Sequence, residues 1–271
     1  FTSLRVPDAD YEFRESEIYS VNVDTGAIAQ LTRRKGPDGN PKVSPDGNSI
    51  AFAMKIEKKN AWSIKMPERP EGAKWTETPR IVERLDYRQD GQGFNDDGFR
   101  HLFVVPATGG TPRQLTNGDW DHNGVEWTPD GNEILFTSVG VPDGEYQFRE
   151  SEIYSVNVDT GAIAQLTRRK GPDNNPKVSP DGKLVAYTGM DASRNTWTDS
   201  KLYVMNIDGS NPRLVSGDWD RSPQNAQWKP DGTGLYFTAQ DSGSQNLYVL
   251  PMAGTRSDVV QPVTKGTYML T

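Results

Sequence analysis

Short stretches of alternating apolar and polar residues run through the whole chain, and turn residues separate them. The clearest markers are four Pro-Asp-Gly turns, which begin at Pro45, Pro129, Pro180 and Pro230. Proline presets the first central position of a tight turn, aspartate tolerates the next, and glycine accepts a positive φ. Because apolar or aromatic residues lie on both sides of each turn, we predict a β-hairpin at each of them.

Two more strand patterns follow every hairpin, so the repeating unit has four strands, which we call A, B, C and D. Strand A precedes the turn and strand B follows it, and the C patterns are HLFVVPA, EIYSVNV, KLYVMNI and NLYVLPM. The last three turns are 51 and 50 residues apart, whereas the first two are 84 apart and enclose an insertion. Such units must stack to bury both faces, and radial stacking makes a β-propeller.

We therefore predict an all-β fold, a β-propeller of four-stranded antiparallel blades that forms one domain over residues 1–271. Residues 1–32 supply strands B, C and D without an A, and residues 266–271 (GTYMLT) read as a strand A without the others. Pairing them predicts a fifth blade that joins both chain ends and leaves no exposed edge. The other four predicted blades are 40–116 with an insertion at 55–100, 124–167, 175–216 and 225–264.

Composition supports short strands and excludes several classes of site. The chain has 26 Gly, 19 Pro and no Cys, so disulfides, thiolate zinc sites and cysteine nucleophiles are excluded. The net charge of -7 argues against a nucleic-acid partner or an anionic membrane. The basic clusters at 33–35 and 168–170 are too short to change this, and we interpret them as solvated loops.

No apolar run reaches the roughly 20 residues that a membrane-spanning helix needs, and no signal peptide pattern opens the chain. Phe1 already reads as part of a strand, which suggests a trimmed or processed chain. We expect a soluble monomer, cytoplasmic if expressed as it stands, and assign no natural compartment. Strand exchange between two chains is the alternative way to close an open ring.

Two segments carry a resemblance to a known family. GDWDHNGVEWTPDGNEILFTS (118–138) and GDWDRSPQNAQWKPDGTGLYFTA (217–239) resemble the propeller repeats of TolB-like proteins and of the serine peptidases that include prolyl oligopeptidase. Residues 79–121 are similar to the propeller of acylaminoacyl-peptidase-like members of that family. The resemblance extends over nearly the whole chain.

The resemblance implies a propeller that accompanies an α/β-hydrolase domain with a Ser-Asp-His triad. This chain contains no Gly-x-Ser-x-Gly motif, so we predict no catalytic residues, no cofactor and no peptidase activity. The partners that the resemblance implies are a hydrolase domain or a peptide. The Glu-Glu pair that binds a substrate amino terminus in dipeptidyl members has no visible counterpart. We interpret His101, in a strand C, and His122, in the loop before a strand A, as structural.

The two GDWD loops are the strongest candidates for chemistry. They precede a strand A, at one mouth of the propeller, where converging carboxylates suit calcium or a substrate amine. We favour the alternative, in which each aspartate caps its own turn while Trp120 and Trp219 pack between blades, so no metal site is predicted. The low-ranked metal candidates are Asp119, Asp121, Asp218 and Asp220.

The insertion contains two further features. Asn95, Asp96 and Asp97 form a second acidic spot, which we interpret as a solvated turn. Trp62 and Trp75 are separated by several charges and suit either a lid or partner-docking patch, or packing of the insertion on its own blade.

One segment occurs twice. Residues 1–47 match residues 136–182 at 41 of 47 positions, and five of the six differences lie within residues 4–12, which we assign to a loop. The other blades share little beyond turn residues and apolar pattern, so the near-identical pair indicates a recent or deliberate copy. We therefore predict a non-catalytic propeller scaffold, engineered or rearranged from peptidase-type blades. The alternatives are the substrate-gating propeller of such a peptidase, or a TolB-like module that binds proteins or peptides.

Overall fold

The computed structural model describes most of the chain. The described residues are 1–3, 16–33, 37–57, 67–74, 80–91, 93–95, 97–141, 144–147, 150–195, 198–252 and 259–267. Several sequence predictions lie outside them: the roles of Trp62 and Trp75, the part played by Asp96, and the closing strand at 268–271.

The described strands form five sheets of the repeating type and one small hairpin, all antiparallel. Sheet 1 contains β1 (Thr2–Ser3), β2 (Glu17–Val21) and β3 (Ile28–Gln30). Sheet 2 contains β4 (Asp38–Val43), β5 (Ser49–Ile56), β8 (Phe99–Pro106) and β9 (Arg113–Gln114), and its insertion holds the hairpin of β6 (Arg88–Gln89) and β7 (Gly93–Phe94).

The last three sheets each have four strands in chain order. Sheet 3 contains β10 (His122–Trp127), β11 (Glu133–Ser138), β12 (Glu152–Asn157) and β13 (Ile163–Gln165), with a 3-10 turn at Gly144–Tyr146. Sheet 4 contains β14 (Asp173–Val178), β15 (Leu184–Gly189), β16 (Lys201–Asn206) and β17 (Arg213–Leu214). Sheet 5 contains β18 (Gln224–Trp228), β19 (Gly234–Asp241), β20 (Ser244–Pro251) and β21 (Gln261–Pro262).

The Pro-Asp-Gly turns join strands A and B as predicted, and their side chains explain why. In the first turn, the Ser44 hydroxyl donates to Asp46 Oδ1 at 2.5 Å and accepts from the Ser49 amide at 2.9 Å. Gly47 follows at φ 75°, where a side chain would be strained. The hydrogen bonds from Ser44 and Asn48 lower the pKa of Asp46, so the turn favours its ionised form.

Every complete strand A also carries a bulge that the sequence pattern did not reveal. The pairing register shifts within β4, β10, β14 and β18. A residue with positive φ lies at each shift, which suits the asparagines and glycine found there. These residues are Asn40, Gly124, Asn175 and Asn225.

Neighbouring sheets pack face to face through four buried apolar clusters, one at each junction from sheet 1 to sheet 5. The strands A are tied to one another as well. The Trp127 indole donates to the Lys42 carbonyl at 3.0 Å, and the Lys177 ammonium lies 2.9 Å from a Glu126 carboxylate oxygen. The Trp228 indole donates to the Lys177 carbonyl at 2.8 Å. The all-β propeller fold is thereby confirmed.

The number of blades and the closure of the ring stay predictions. Among the described residues, no strand of sheet 5 contacts a strand of sheet 1. The described chain end lies beside sheet 5 instead, where the Gly266 amide donates to Asn246 Oδ1 at 3.1 Å. Within the same residues, no helix is long and apolar enough to cross a membrane.

The Trp228 hydrogen bond allows a direct test of how the strands A are held. Replacing Trp228 with Phe removes the donor to Lys177 and should lower the unfolding free energy by about 1 kcal/mol, or the thermal midpoint by about 2–4 °C. Trp127→Phe removes the matching bond to Lys42 and should cost a similar amount. Thermal denaturation followed by circular dichroism measures both, and two unchanged midpoints would contradict this role.

Candidate functional site

A cleft of about 860 Å³ lies between sheets 2, 3 and 4, on the side of the propeller that carries the B–C and D–A loops. The insertion of sheet 2, the first GDWD loop and the B–C loop of sheet 3 supply most of its walls. Its lining residues are Glu83, Arg84, Asp86, Asp97, Gly98, Phe99, Gly118, Asp119, Trp120, Asp121, Asn123, Thr137, Ser138, Val139, Gly144, Glu145, Glu150, Ser151 and Asn174.

The lining is strongly acidic, because seven carboxylates face one guanidinium. The guanidinium belongs to Arg84 and is already engaged. Its Nη1 donates to the Gly98 carbonyl at 3.0 Å, and its Cζ lies 4.4 Å from the centre of the Phe99 ring. The cleft therefore favours a cationic group over an anion.

Three of the carboxylates also hold the walls together. Asp121 accepts the Arg100 amide at 2.6 Å, which fixes the GDWD loop to β8. Glu145 accepts the Leu85 amide at 2.7 Å and joins the B–C loop of sheet 3 to the insertion. Glu150 accepts the Gly171 amide at 3.0 Å. The cleft is thus built from loops of different blades that bind one another.

The four aspartates of the GDWD loops do not come together. Asp119 and Asp121 line the cleft, whereas Asp218 and Asp220 are exposed on the loop between sheets 4 and 5. Asp220 pairs there with Arg221 at 2.6 Å. Among the described residues, no group of three or more His, Cys, Asp or Glu side chains is placed to hold a metal ion.

Of the second acidic spot, Asp97 lines the same cleft. The side-chain amide of Asn95 donates to the Asp86 carbonyl at 3.0 Å. Sequence reasoning missed the four other acidic members, Glu83, Asp86, Glu145 and Glu150. Glu83 and Asp86 lie on the insertion, and Glu145 and Glu150 lie on the B–C loop of sheet 3. The two loops are far apart in the chain, so no local motif could have linked the two pairs.

The two GDWD tryptophans lie in different environments. Trp219 packs between sheets 4 and 5 as predicted, with ring centroids 5.3 Å from Phe237 and 5.0 Å from Tyr248. Trp120 lines the cleft instead. In the sheet 2–3 junction the buried His122 ring occupies the space beside Phe136, with the two ring centroids 5.3 Å apart.

Both histidines are buried and pack against each other, with ring centroids 5.1 Å apart. The prediction that His122 lies in the loop before a strand A is wrong, because His122 begins β10. Its Nδ1 is 3.2 Å from the Arg100 carbonyl oxygen. Burial lowers the pKa of His122 to about 4, and it lowers that of His101 as well. Neither ring lines the cleft.

A partly buried ionic network joins sheets 3 and 4, and its members lie on β12, on β14 and on the loop between the two sheets. The Thr167 hydroxyl donates to Glu152 Oε2 at 2.5 Å. Arg169 Nε lies 3.3 Å from the fully buried Asp173 Oδ1, and its guanidinium stacks 4.0 Å over the Tyr203 ring. Burial raises the pKa of Asp173 to about 6, and Arg169 opposes that rise.

The ionisation of Glu152 should make the stability of the folded protein depend on pH. Burial raises its pKa from 4.5 to about 7, against the hydrogen bond from Thr167. Because the folded state holds the proton more tightly, the stability this group contributes is present below pH 4.5 and is lost as the pH rises through about 7. Glu152→Gln should therefore be more stable than wild type at pH 8 by about 1 kcal/mol, and the advantage should shrink toward pH 5.

Urea denaturation of both proteins across this pH range measures the difference. Parallel pH profiles for wild type and Glu152→Gln would contradict the assignment.

The cleft lies in the segment of the chain that matches a known protein family. Residues 71–194 match the family described as the dipeptidyl peptidase IV (DPP IV) N-terminal region. Dipeptidyl-peptidase 5 of Arthroderma otae is 29% identical over 178 residues, an alignment that covers 60% of this chain and 24% of that protein. The chain thus spans about a quarter of that relative's length.

Solved structures give the same fold at lower identity. An acylaminoacyl peptidase from Pyrococcus horikoshii matches 93% of this chain and 35% of its own, with a TM-score of 0.63 and 16% identity. TolB from Acinetobacter baumannii matches 98% of this chain and 51% of its own, with a TM-score of 0.58 and 19% identity. Every lining residue of the cleft falls within the segment 71–194. In sequence the chain resembles the dipeptidyl peptidase IV N-terminal region and dipeptidyl-peptidase 5, and in fold it resembles an acylaminoacyl peptidase and TolB.

Proposed function

We propose that this chain is the substrate-facing propeller of a dipeptidyl-peptidase 5-like serine peptidase and that its acidic cleft binds the cationic end of a peptide. The observation that carries the proposal is that all lining residues of the cleft lie within the family match at 71–194. The remaining blades then serve as the frame that holds these loops in place.

Charge and shape support a peptide with a free amino group. The volume of about 860 Å³ suits a short peptide, and the excess of carboxylates attracts an ammonium group. Trp120 and Phe99 add apolar surface for a side chain beside that group. The chain carries no Gly-x-Ser-x-Gly motif, so in this proposal it binds and orients the peptide while a hydrolase domain cleaves it.

Titration calorimetry with a short peptide tests the proposal. The free-amine peptide should bind about tenfold more tightly than its N-acetylated form, because acetylation removes the charge that the carboxylates attract. The 271-residue chain alone should show no hydrolysis of a chromogenic dipeptide. Equal affinity for the free and acetylated peptides would contradict recognition of the amine.

The two GDWD loops supply a matched pair of variants. Asp119→Asn removes a carboxylate of the cleft and should weaken binding several-fold, about 1 kcal/mol. Asp218→Asn makes the same change at the equivalent position outside the cleft and should leave binding unchanged. An equal effect of both variants would indicate long-range charge alone and would count against the cleft.

A second candidate is an engineered or rearranged scaffold without a natural ligand. The observation that favours it is the 41 identical residues of 47 between segments 1–47 and 136–182. A scaffold should bind neither peptide form. The same calorimetric titration therefore separates the two candidates, and a natural gene that encodes both copies would argue against an engineered origin.

A further inference from the structure

Each interior sheet of the propeller buries both of its faces. One face packs on the preceding sheet and the other on the following sheet, and we call them the incoming and the outgoing face. Four apolar clusters fill the four junctions of consecutive sheets, from sheet 1 with sheet 2 to sheet 4 with sheet 5. Two faces remain: the incoming face of sheet 1 and the outgoing face of sheet 5, which do not contact each other among the described strands.

The outgoing face of sheet 5 is exposed at positions that are buried in the sheet before it. Val263 is 48% exposed, whereas Val215, its equivalent in sheet 4, is 1% exposed and packs on sheet 5. Tyr236 is 37% exposed, whereas its equivalent Ala186 is fully buried. The last sheet thus presents an apolar face without a following sheet over these residues.

The incoming face of sheet 1 shows the same contrast between identical residues. Val21 and Val156 occupy equivalent positions in the two copies of the repeated segment, yet Val21 is 46% exposed and Val156 is fully buried. Phe1 is 48% exposed, and its counterpart Phe136 is 1% exposed. In sheet 3, Phe136 and Val156 pack against the outgoing face of sheet 2.

We propose that the outgoing face of sheet 5 binds the incoming face of sheet 1 in a second copy of this chain. The contact continues the junction that the fold already repeats four times. Phe1 and Val21 on the incoming face of sheet 1 are identical to the residues through which sheet 3 packs on the outgoing face of sheet 2. They are therefore suited to pack on an outgoing face. The interface is heterologous, because each copy contributes a different surface, and it extends head to tail until a ring closes.

Sedimentation velocity of the 271-residue chain tests this proposal. The wild type should shift from monomer to oligomers as the concentration rises. Val21→Glu disables the incoming face and Val263→Glu the outgoing face, and each variant alone should stay monomeric. Both side chains are already half exposed, so neither change should disturb the fold, and thermal circular dichroism verifies that. Leu214→Glu, on a strand D away from both faces, is the control and should assemble like wild type.

Mixing the two monomeric variants gives the decisive result. Val21→Glu keeps an intact outgoing face and Val263→Glu keeps an intact incoming face, so the mixture should form one heterodimer and nothing larger. A wild type that stays monomeric at every concentration overturns the proposal. Variants that assemble like wild type, or a mixture that stays monomeric, overturn it equally. None of these outcomes bears on peptide binding at the cleft, which a monomer retains.

Discussion

Replacing Arg169 with Met should lower the free energy of unfolding at pH 8 by about 3 kcal/mol. Asp173 is fully buried, and the Arg169 guanidinium is its counter-ion at 3.3 Å. Arg169 also donates to the Met190 carbonyl at 3.2 Å and stacks on Tyr203, so Met replaces only part of its contacts. Removal of the cation leaves a buried carboxylate with a raised pKa and no compensating charge.

A double-mutant cycle separates the ion pair from the lost packing. Asp173→Asn in the Arg169→Met background should recover most of the stability, because no buried charge remains. The loss should also shrink toward pH 5, where Asp173 takes up a proton more readily. Denaturant unfolding at both pH values measures these differences. An Arg169→Met loss below about 0.5 kcal/mol at pH 8 would show that the pair contributes no more than a surface salt bridge.

The repeated segment provides the second large effect as a matched comparison. Phe136→Ala should cost about 3–5 kcal/mol, because Phe136 is 1% exposed and fills the junction between sheets 2 and 3. Its ring stacks on Tyr154 and contacts His122 at centroid distances of 5.6 and 5.3 Å. Phe1 stacks on Tyr19 in the same way at 5.7 Å, but half of its surface is exposed.

Phe1→Ala should accordingly cost about 1 kcal/mol or less in the monomer. Thermal midpoints of both variants, recorded at a concentration where the chain is monomeric, give the comparison. Equal losses would mean that the two copies lie in equivalent environments, as a closed ring of identical junctions requires. The difference between the copies thus measures how far sheet 1 lacks a preceding neighbour.

Strand-level structure was predictable from sequence because its causes are local. The two copies of the repeated segment form the same bonds: the Thr32 hydroxyl accepts the Ile18 amide at 2.9 Å and Thr167 accepts the Ile153 amide at 2.8 Å. The Pro-Asp-Gly turns likewise carry their own hydrogen bonds. The bulge in each strand A escaped prediction, since asparagine at positive φ looks in sequence like an ordinary turn residue.

The candidate site was only partly predictable. The first GDWD loop was identified, but Glu83, Glu145 and Glu150 join it through contacts between loops that are remote in the chain. The duplication predicts a ring closed by both chain ends, and this stays a prediction, because the closing strand at 268–271 lies outside the described residues. Identical residues such as Val21 and Val156 differ in burial because of their neighbours, and no single-sequence pattern encodes which neighbour is present.

Hydrogen–deuterium exchange of the chain with and without a saturating free-amine peptide tests the central claim most directly. The proposal predicts slower exchange in the described loops that form the cleft, at residues 83–91, 93–95, 97–99, 118–123, 144–147 and 150–151. It predicts no change in the equivalent loop at 217–222. The N-acetylated peptide at the same concentration should protect these amides less. Protection confined to other loops, or none at saturating peptide, would contradict a peptide-binding role for this cleft.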